Sequence, residues 1–198
     1  MVKIENLTNE EIEAIGDAFA DYQYSDGEKG LAYLYNGNAA VKEYICGYTR
    51  AMIKAGCLYS TSERHEAYIA YKCSKDSMNL SAVFELLKAF RKSLGFKGTV
   101  SLIKAMNAAG KSYEQTLKKS KKPYIFVSMV AVVKPYQGQG YMRKVLELAF
   151  EEGRKRNCPV FLDTDAKLKK DKYVHLGMKN VNTRKINDEV FIYDLLKE

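Results

Sequence analysis

Pro123–Arg156, PYIFVSMVAVVKPYQGQGYMRKVLELAFEEGRKR, reads as a buried strand, a Gln/Gly turn and an amphipathic helix in direct succession. Tyr124 to Val133 is almost continuously apolar and rich in β-branched residues, as a strand covered on both faces requires. Lys134-Pro135-Tyr136-Gln137-Gly138-Gln139-Gly140 supplies the turn. Beyond it Met142, Val145, Leu146, Ala149, Phe150 and Gly153 recur at the i, i+3, i+4, i+7 spacing of one helix face. A glycine turn that feeds a helix start leaves backbone N–H groups free and aimed one way. The positive end of the helix dipole adds to them, so the stretch is a place for a phosphate.

Upstream lies a helical insertion at about 76–122. In it Leu80–Leu94 carries Leu80, Val83, Phe84, Leu87 and Phe90 as an expected inward stripe, stopped by Gly95. Thr99–Ala109 and Ser112–Lys119 are weaker helices separated by Gly110. Two strands precede the insertion, Cys57–Thr61 and Glu66–Ser74, about the turn Ser62-Glu63-Arg64-His65. Before them Asn38 is placed to cap a helix ending at Ala55, with Val41, Tyr44, Ile45, Tyr48 and Met52 on one stripe and Gly56 as terminator. Asp21–Gly37 reads as an irregular loop with a helical turn at Leu31–Leu34. Thr8 and Glu11 form a capping box, with Leu7 stapled to Ile12, for a first helix to about Ala20 that turns Ile12, Ile15 and Phe19 inward. Val2–Ile4 is a short opening strand.

Downstream, Val160–Asp163 is a strand and Lys167–Leu176 a helix ended by Gly177. Val181–Lys185 and Glu189–Leu195 are closing strands about Asn187-Asp188. The order is β, α, α, β, β, helical insertion, β, α, β, α, β, β. No repeat, low-complexity tract or linker interrupts it, so the 198 residues are expected to form a single α/β (α+β) domain spanning 1–198.

Composition narrows the function classes. Hydrophobic residues make up 46% of the chain, enough for a core, yet no run approaches the ~20 apolar residues of a membrane span. The N-terminus lacks the apolar segment of a secretory signal. Cys46, Cys57, Cys73 and Cys158 are scattered, and His65 and His175 are far apart, which implies reduced thiols in a cytoplasmic protein and no metal. The net charge of +8 fits either a lysine-rich surface or an anionic ligand, with basic runs at Lys111–Lys122 and Lys167–Lys172. No nucleic-acid-binding signature accompanies them, so no nucleic acid and no membrane is expected as a partner.

Three phosphate motifs compete for the turn. A P-loop sequence is absent. Gly138 and Gly140 supply the G-x-G of a dinucleotide fingerprint, and Asp163 ends the next strand. The third glycine position holds Arg143, however, and too little chain follows Asp163 for further βα units.

The third motif fits. Val132–Met142 resembles the Q/R-x-x-G-x-G/A acyl-CoA loop of the GCN5-related N-acetyltransferase (GNAT) superfamily, with Gln137 and Gly140 at the motif's positions and Met142 where the last Gly/Ala stands. Phe161-Leu162-Asp163-Thr164 is similar to the family's next strand, and Tyr173–Met178 to its Y-x-x-x-G-F box. Ala166 replaces a frequent asparagine, and Met178 the aromatic. The match covers roughly Tyr124–Met178. The N-terminal half agrees in element order and looks closest to puromycin-acetyltransferase-like members. The resemblance implies a central, mixed, mostly antiparallel twisted sheet of about six to seven strands flanked by helices.

It also implies an activity. Acetyl-CoA would be the co-substrate, with an acetyl group passing to a primary amine of a small molecule or peptide by direct attack in a ternary complex. The acyl chain could also be longer than acetyl. Its pyrophosphate would sit on the N–H groups of Gly138, Gly140, Tyr141 and Met142, flanked by Gln137 and Gln139, with Arg143 or Lys144 adding charge. Its pantetheine would run along Val130, Val132 and Val133, and the N–H near Val132 would hold the oxyanion. Tyr173 would protonate the leaving thiolate. Asp163 and Asp165 are the best-placed carboxylates for a general base, although Asp165 is equally suited to capping the helix at Ala166. Tyr22, Tyr24, Tyr33, Tyr35, Tyr44 and Tyr48 could line the acceptor pocket or simply pack. A non-catalytic acyl-CoA-binding protein of this fold is the alternative, and either a monomer or a homodimer is compatible.

Overall fold

The computed structural model describes residues 2–35 and 37–198. Met1, and Asn36 within the loop read at Asp21–Gly37, lie outside the described residues. The strands are β1 (Val2–Lys3), β2 (Leu58–Ser60), β3 (Ala67–Cys73), β4 (Ile125–Val132), β5 (Val160–Thr164), β6 (Lys179–Lys185) and β7 (Phe191–Lys197). The helices are α1 (Asn9–Ala20), α2 (Leu31–Leu34), α3 (Asn38–Lys54), α4 (Leu80–Ala108), α5 (Tyr113–Ser120), α6 (Tyr141–Arg156) and α7 (Lys167–His175).

The strands form one sheet in the order β1-β2-β3-β4-β5-β7-β6. Neighbours are antiparallel except β4 and β5, the parallel pair joined through α6. That exception contains the strand, glycine turn and helix of Pro123–Arg156. Both sheet faces are covered. On one, Ile15, Val41, Ile45 and Met52 of α1 and α3 pack on Tyr68, Ala70, Met129 and Ala131. On the other, Val145, Leu146, Ala149 and Phe150 of α6 pack on Ile69, Tyr71, Ile125 and Val127. A strand with cover on both faces cannot alternate apolar with polar, which explains the apolar runs of β3 and β4. Among the described residues, no helix is long and apolar enough to cross a membrane.

Three sequence expectations are corrected. Gly37, with φ of 105°, precedes α3, and Asn38 is its first helical residue rather than a side-chain cap. Asp165 does not cap α7. The side chain of Glu28 does so from the loop, accepting the Lys167 N–H at 2.9 and 3.1 Å.

The third correction concerns α4, which bends at Gly95 (φ 63°, ψ −178°). Leu80, Phe84 and Leu87 face outward and are 87%, 69% and 63% exposed, whereas Ala82, Glu85 and Ala89 are buried. The cause is a close crossing with α3. A Cβ added to Gly47 would lie 2.5 Å from the Ala89 Cβ, so only small residues fit at the contact. Glu85 is paired there with Lys54 at 2.6 Å. Of the expected stripe, Phe90 does turn inward, against Tyr44 at 4.8 Å between ring centroids.

Candidate active site

β4 and β5 pair only through Ile125↔Val160 and Phe126↔Phe161, then part. A bulge in β4 starts the divergence. Val127 opposes Tyr71 and Met129 opposes Ala70, leaving Ser128 as the extra residue, its hydroxyl donating to the Ala70 carbonyl at 3.3 Å. Beyond the bulge β4 stays paired with β3, and its other edge is open.

The orientation of that edge follows from one bond. The Val133 N–H donates to the Glu66 carbonyl at 3.2 Å, so Glu66 and Val133 are a hydrogen-bonded pair across β3 and β4. In an antiparallel ladder such pairs alternate with non-bonded ones. The polar groups of Val132 and Val130, opposite Ala67 and Ile69, therefore face away from β3 into the cleft. The Val133 N–H is committed to the sheet. On the open edge, the Val132 carbonyl accepts from the Gln137 amide at 3.1 Å, which folds the following turn back onto the strand.

The turn holds Gly138 and Gly140 at φ of 76° and 80°, the left-handed region where a side chain is strained. Gly140 is the N-cap of α6, and the Gln139 amide donates to the Pro135 carbonyl at 2.8 Å. The N–H groups of Arg143 and Lys144 close onto the Gly140 carbonyl. Among the described residues, those of Gly138, Gly140, Tyr141 and Met142 donate to no backbone carbonyl in the turn. They lie at the N-terminal, positive end of a 16-residue helix. Lys144 lies over the Tyr141 ring at 4.4 Å, and Arg143 is exposed beside it.

A cavity of about 320 Å³ occupies this side of the cleft, walled by Val130, Val132, Gln137, Gly138, Gly140, Tyr141 and Met142. Of the other residues read for the donor, Val133, Gln139 and Arg143 stand outside its wall. A second cavity, about 450 Å³, lies on the far side between β5, α3 and α4. It contains Asp163, Thr164 and Asp165 of the β5 end. Val130, Tyr173, Phe19 and Lys169 line both cavities, so the two meet there.

Tyr173 is held at this junction by the end of α7. The Met178 N–H donates to the Tyr173 carbonyl at 3.1 Å, and the Gly177 N–H to the Val174 carbonyl at 2.9 Å, with Gly177 at φ of 91°. This is a Schellman cap. The tyrosine-to-glycine spacing read from the sequence is thus the spacing between the third-last helical residue and the left-handed glycine after the helix. The phenol is buried, and burial first, then Asp165 and Tyr22, raise its pKa well above the ordinary value, so it keeps its proton.

Asp163 opens onto the larger cavity. Its side chain is 40% exposed on the cavity side, and partial desolvation by the surrounding walls pushes its pKa up to about 6; Arg184 pulls it down and Asp194 pushes it up, both to lesser degree. The Arg184 guanidinium bridges the two carboxylates, 2.9 Å from Asp163 Oδ2 and 2.8 Å from Asp194 Oδ1. Asp194 is fully buried and also accepts from the Tyr113 N–H at 2.7 Å and the Asn182 amide at 2.9 Å. Asp165, two residues along β5, accepts from the Tyr24 hydroxyl at 2.5 Å and pairs with Lys169 at 3.5 Å. Lys169 in turn lies over the Tyr22 ring at 3.9 Å.

The sequence reading missed Arg184, Asp194, Glu28 and Lys169. Asp194 left one trace, a charge inside the apolar run Phe191–Leu196. Glu28 left none, because its partner Lys167 is distant in sequence, whereas Lys169 left the local i,i+4 spacing to Asp165, a signal that could have found it. The cavity wall from the second half of α4, with Leu102, Ile103 and Met106, was also unassigned.

Residues 97–175 match the Acetyltransferase (GNAT) family, a span that includes β4, the glycine turn, β5 and Tyr173. A polyamine N-acetyltransferase from Drosophila melanogaster superposes on the whole chain with a TM-score of 0.59, at 15% identity, covering 100% of this chain and 99% of its own. The fold is the GNAT fold. An arylalkylamine N-acetyltransferase 2 from Aedes aegypti shares it, with a TM-score of 0.56 and 12% identity over 96% and 95% of the two chains. A structure from Agrobacterium tumefaciens is 28% identical but aligns over only 37% of this chain, which spans about half (56%) of that one, with a TM-score of 0.35. No curated protein matches in sequence. In GNAT terms, the family match stops short of β6 and β7, which carry Arg184 and Asp194.

Proposed function

We propose that this chain is an acetyl-CoA-dependent N-acetyltransferase acting on a primary amine, with residues 1–198 as one catalytic unit. The observation that carries the reading is the meeting of two cavities at Val130 and Tyr173, where β4 leaves β5. One cavity has a phosphate-binding turn at its rim, and the other has a carboxylate of raised pKa in its wall.

In this reading the pyrophosphate binds the free N–H groups of Gly138, Gly140, Tyr141 and Met142. Pantetheine pairs with the cleft-facing edge of β4 at Val130 and Val132 as an added strand. The amine enters from the larger cavity and reaches the thioester at the junction. An amine arriving as an ammonium first releases one proton to solvent; Asp163, with a pKa of about 6, is ionised at neutral pH and takes the second as the nitrogen lone pair attacks the carbonyl carbon. A β4 N–H stabilises the oxyanion. When the C–S bond breaks, Tyr173 gives the thiolate its proton, leaving an acetamide and free CoA. A phenol of raised pKa keeps that proton available throughout the neutral range.

Turnover of acetyl-CoA with a panel of primary amines, followed by thiol release, tests the reading. Tyr173→Phe is expected to lower kcat by about 10²-fold and to leave acetyl-CoA affinity unchanged. Unchanged kcat removes the acid role. Tight acetyl-CoA binding with no turnover for any amine makes the chain an acyl-CoA-binding protein instead.

A further inference from the structure

Resting on the acetyltransferase reading, the geometry points to the acceptor itself: we infer a monoamine whose single ammonium is carried on an uncharged apolar body, with the second half of α4 as the element that selects it. The charged residues lining the larger cavity all come from the end of β5 and the start of α7. They are Asp163, Asp165 and Lys169, of which Lys169 also lines the donor cavity. Lys169 is paired with Asp165 at 3.5 Å and Arg184 stands behind Asp163 at 2.9 Å, and the lining itself, with two carboxylates against one ammonium, carries net negative charge.

Away from that end the wall is mostly apolar and carries no charge, Ser128 and Asn107 being its uncharged polar side chains. Tyr44 and Phe90 form it from one side, and Leu102, Ile103 and Met106 close it from the other. The rings offer no gap for a second cation. Tyr44 stands 4.8 Å from Phe90, 4.9 Å from Tyr35 and 5.8 Å from Tyr48 between centroids, so the rings pack on one another rather than around an empty cage. Their phenols supply no anion either, because burial raises the pKa of Tyr44 and Tyr48 far above the neutral range. The cavity, at about 450 Å³, is within the range that encloses a small organic molecule.

This arrangement sorts amines by what lies beyond the nitrogen. An alkyl or aryl body is desolvated against Phe90, Leu102 and Met106, which favours binding. A second ammonium of a diamine or polyamine would be buried there with no carboxylate opposite, which disfavours it. A carboxylate on the same small molecule would face Asp163 and Asp165.

The test compares an n-alkylamine or phenylalkylamine with the α,ω-diamine of matched length, by kcat/KM at pH 8 with saturating acetyl-CoA. The monoamine is expected to be preferred by about 100-fold, the order of discrimination produced by an unpaired buried polar or charged group. Met106→Glu places a carboxylate on the apolar wall at a half-buried position. It is expected to narrow the preference at least tenfold, raising kcat/KM for the diamine and lowering it for the monoamine, with acetyl-CoA affinity and Tm little changed. Equal rates for the matched pair, or a ratio untouched by Met106→Glu in a folded variant, overturn the inference while leaving the acetyltransferase reading intact. No turnover with any amine overturns both.

Discussion

Asp163 is ionised or protonated according to its cavity and two residues that are distant in sequence. Partial desolvation by the cavity wall raises its pKa, Arg184 opposes the rise, and Asp194, buried behind the arginine, adds to it. With a pKa of about 6, the proposed base is lost as pH falls through 6. kcat/KM is therefore expected to fall about tenfold per unit below that point and to level off above it. Asp163→Asn should lower kcat/KM by about 10²-fold and abolish the limb in a pH–rate profile. Arg184→Lys loses the planar fork that joins the two carboxylates. It is expected to weaken the pull on Asp163 and move the limb to higher pH, and an unmoved limb would assign it elsewhere. The sequence offered Asp163 through its place at a strand end. It could not show Arg184, because the pairing depends on the register Arg184↔Ile192 between β6 and β7 and on Asp163 opposing Asp194.

The elements carry the donor side. Gly140 has no atom within 4 Å of where a Cβ would stand, so an alanine would meet no clash there. Its cost is conformational, about 1–2 kcal/mol for a left-handed φ in an L-residue. Gly140→Ala should thus weaken acetyl-CoA binding roughly five- to thirtyfold if the turn shifts to relieve the strain, measured by calorimetry, and lower Tm by a few degrees if it does not. The turn from β2 to β3 gives a stability prediction. Glu66 accepts from Ser62 at 2.7 Å and Thr61 at 2.9 Å, and pairs with Arg64 at 3.1 Å. The Ser62 hydroxyl does most to lower its pKa, to about 2 from an ordinary 4.5. A carboxylate with a lowered folded-state pKa stabilises the fold above its unfolded value and loses that contribution as it is protonated. The stability advantage over Glu66→Gln should be full above about pH 4.5 and vanish as pH falls toward 2, followed by denaturant titration at several pH values. The same residue accepts the Val133 N–H where β4 ends, so loss of its order is felt at the donor turn.

Over the whole molecule, a seven-stranded sheet with helices on both faces places one open edge in its middle, where two parallel strands separate. The insertion supplies a wall of the larger cavity and, on its outer side, the exposed Leu80, Phe84 and Leu87. Replacing Phe84 and Leu87 together by lysine is expected to change stability by less than about 1 kcal/mol, as for exposed positions generally. It should leave kcat/KM unaltered and improve solubility, by removing an apolar surface patch. A large loss of Tm in thermal melts would show that the face is covered.

The chain sequence by itself determined the local elements and the donor turn. Helix caps, glycine conformations and apolar periodicity act between residues a few positions apart, so Thr8 with Glu11, Gly138 with Gly140, and Tyr173 with Gly177 are visible in a linear reading. Only the tertiary structure decided which face of α4 is buried, since that depends on Gly47 of another helix meeting Ala89. It likewise decided that Glu28 caps α7, that Arg184 joins Asp163 to Asp194, and that the second half of α4 lines the larger cavity. These are contacts between elements far apart in the chain, and their energy resides in partners that no local pattern names.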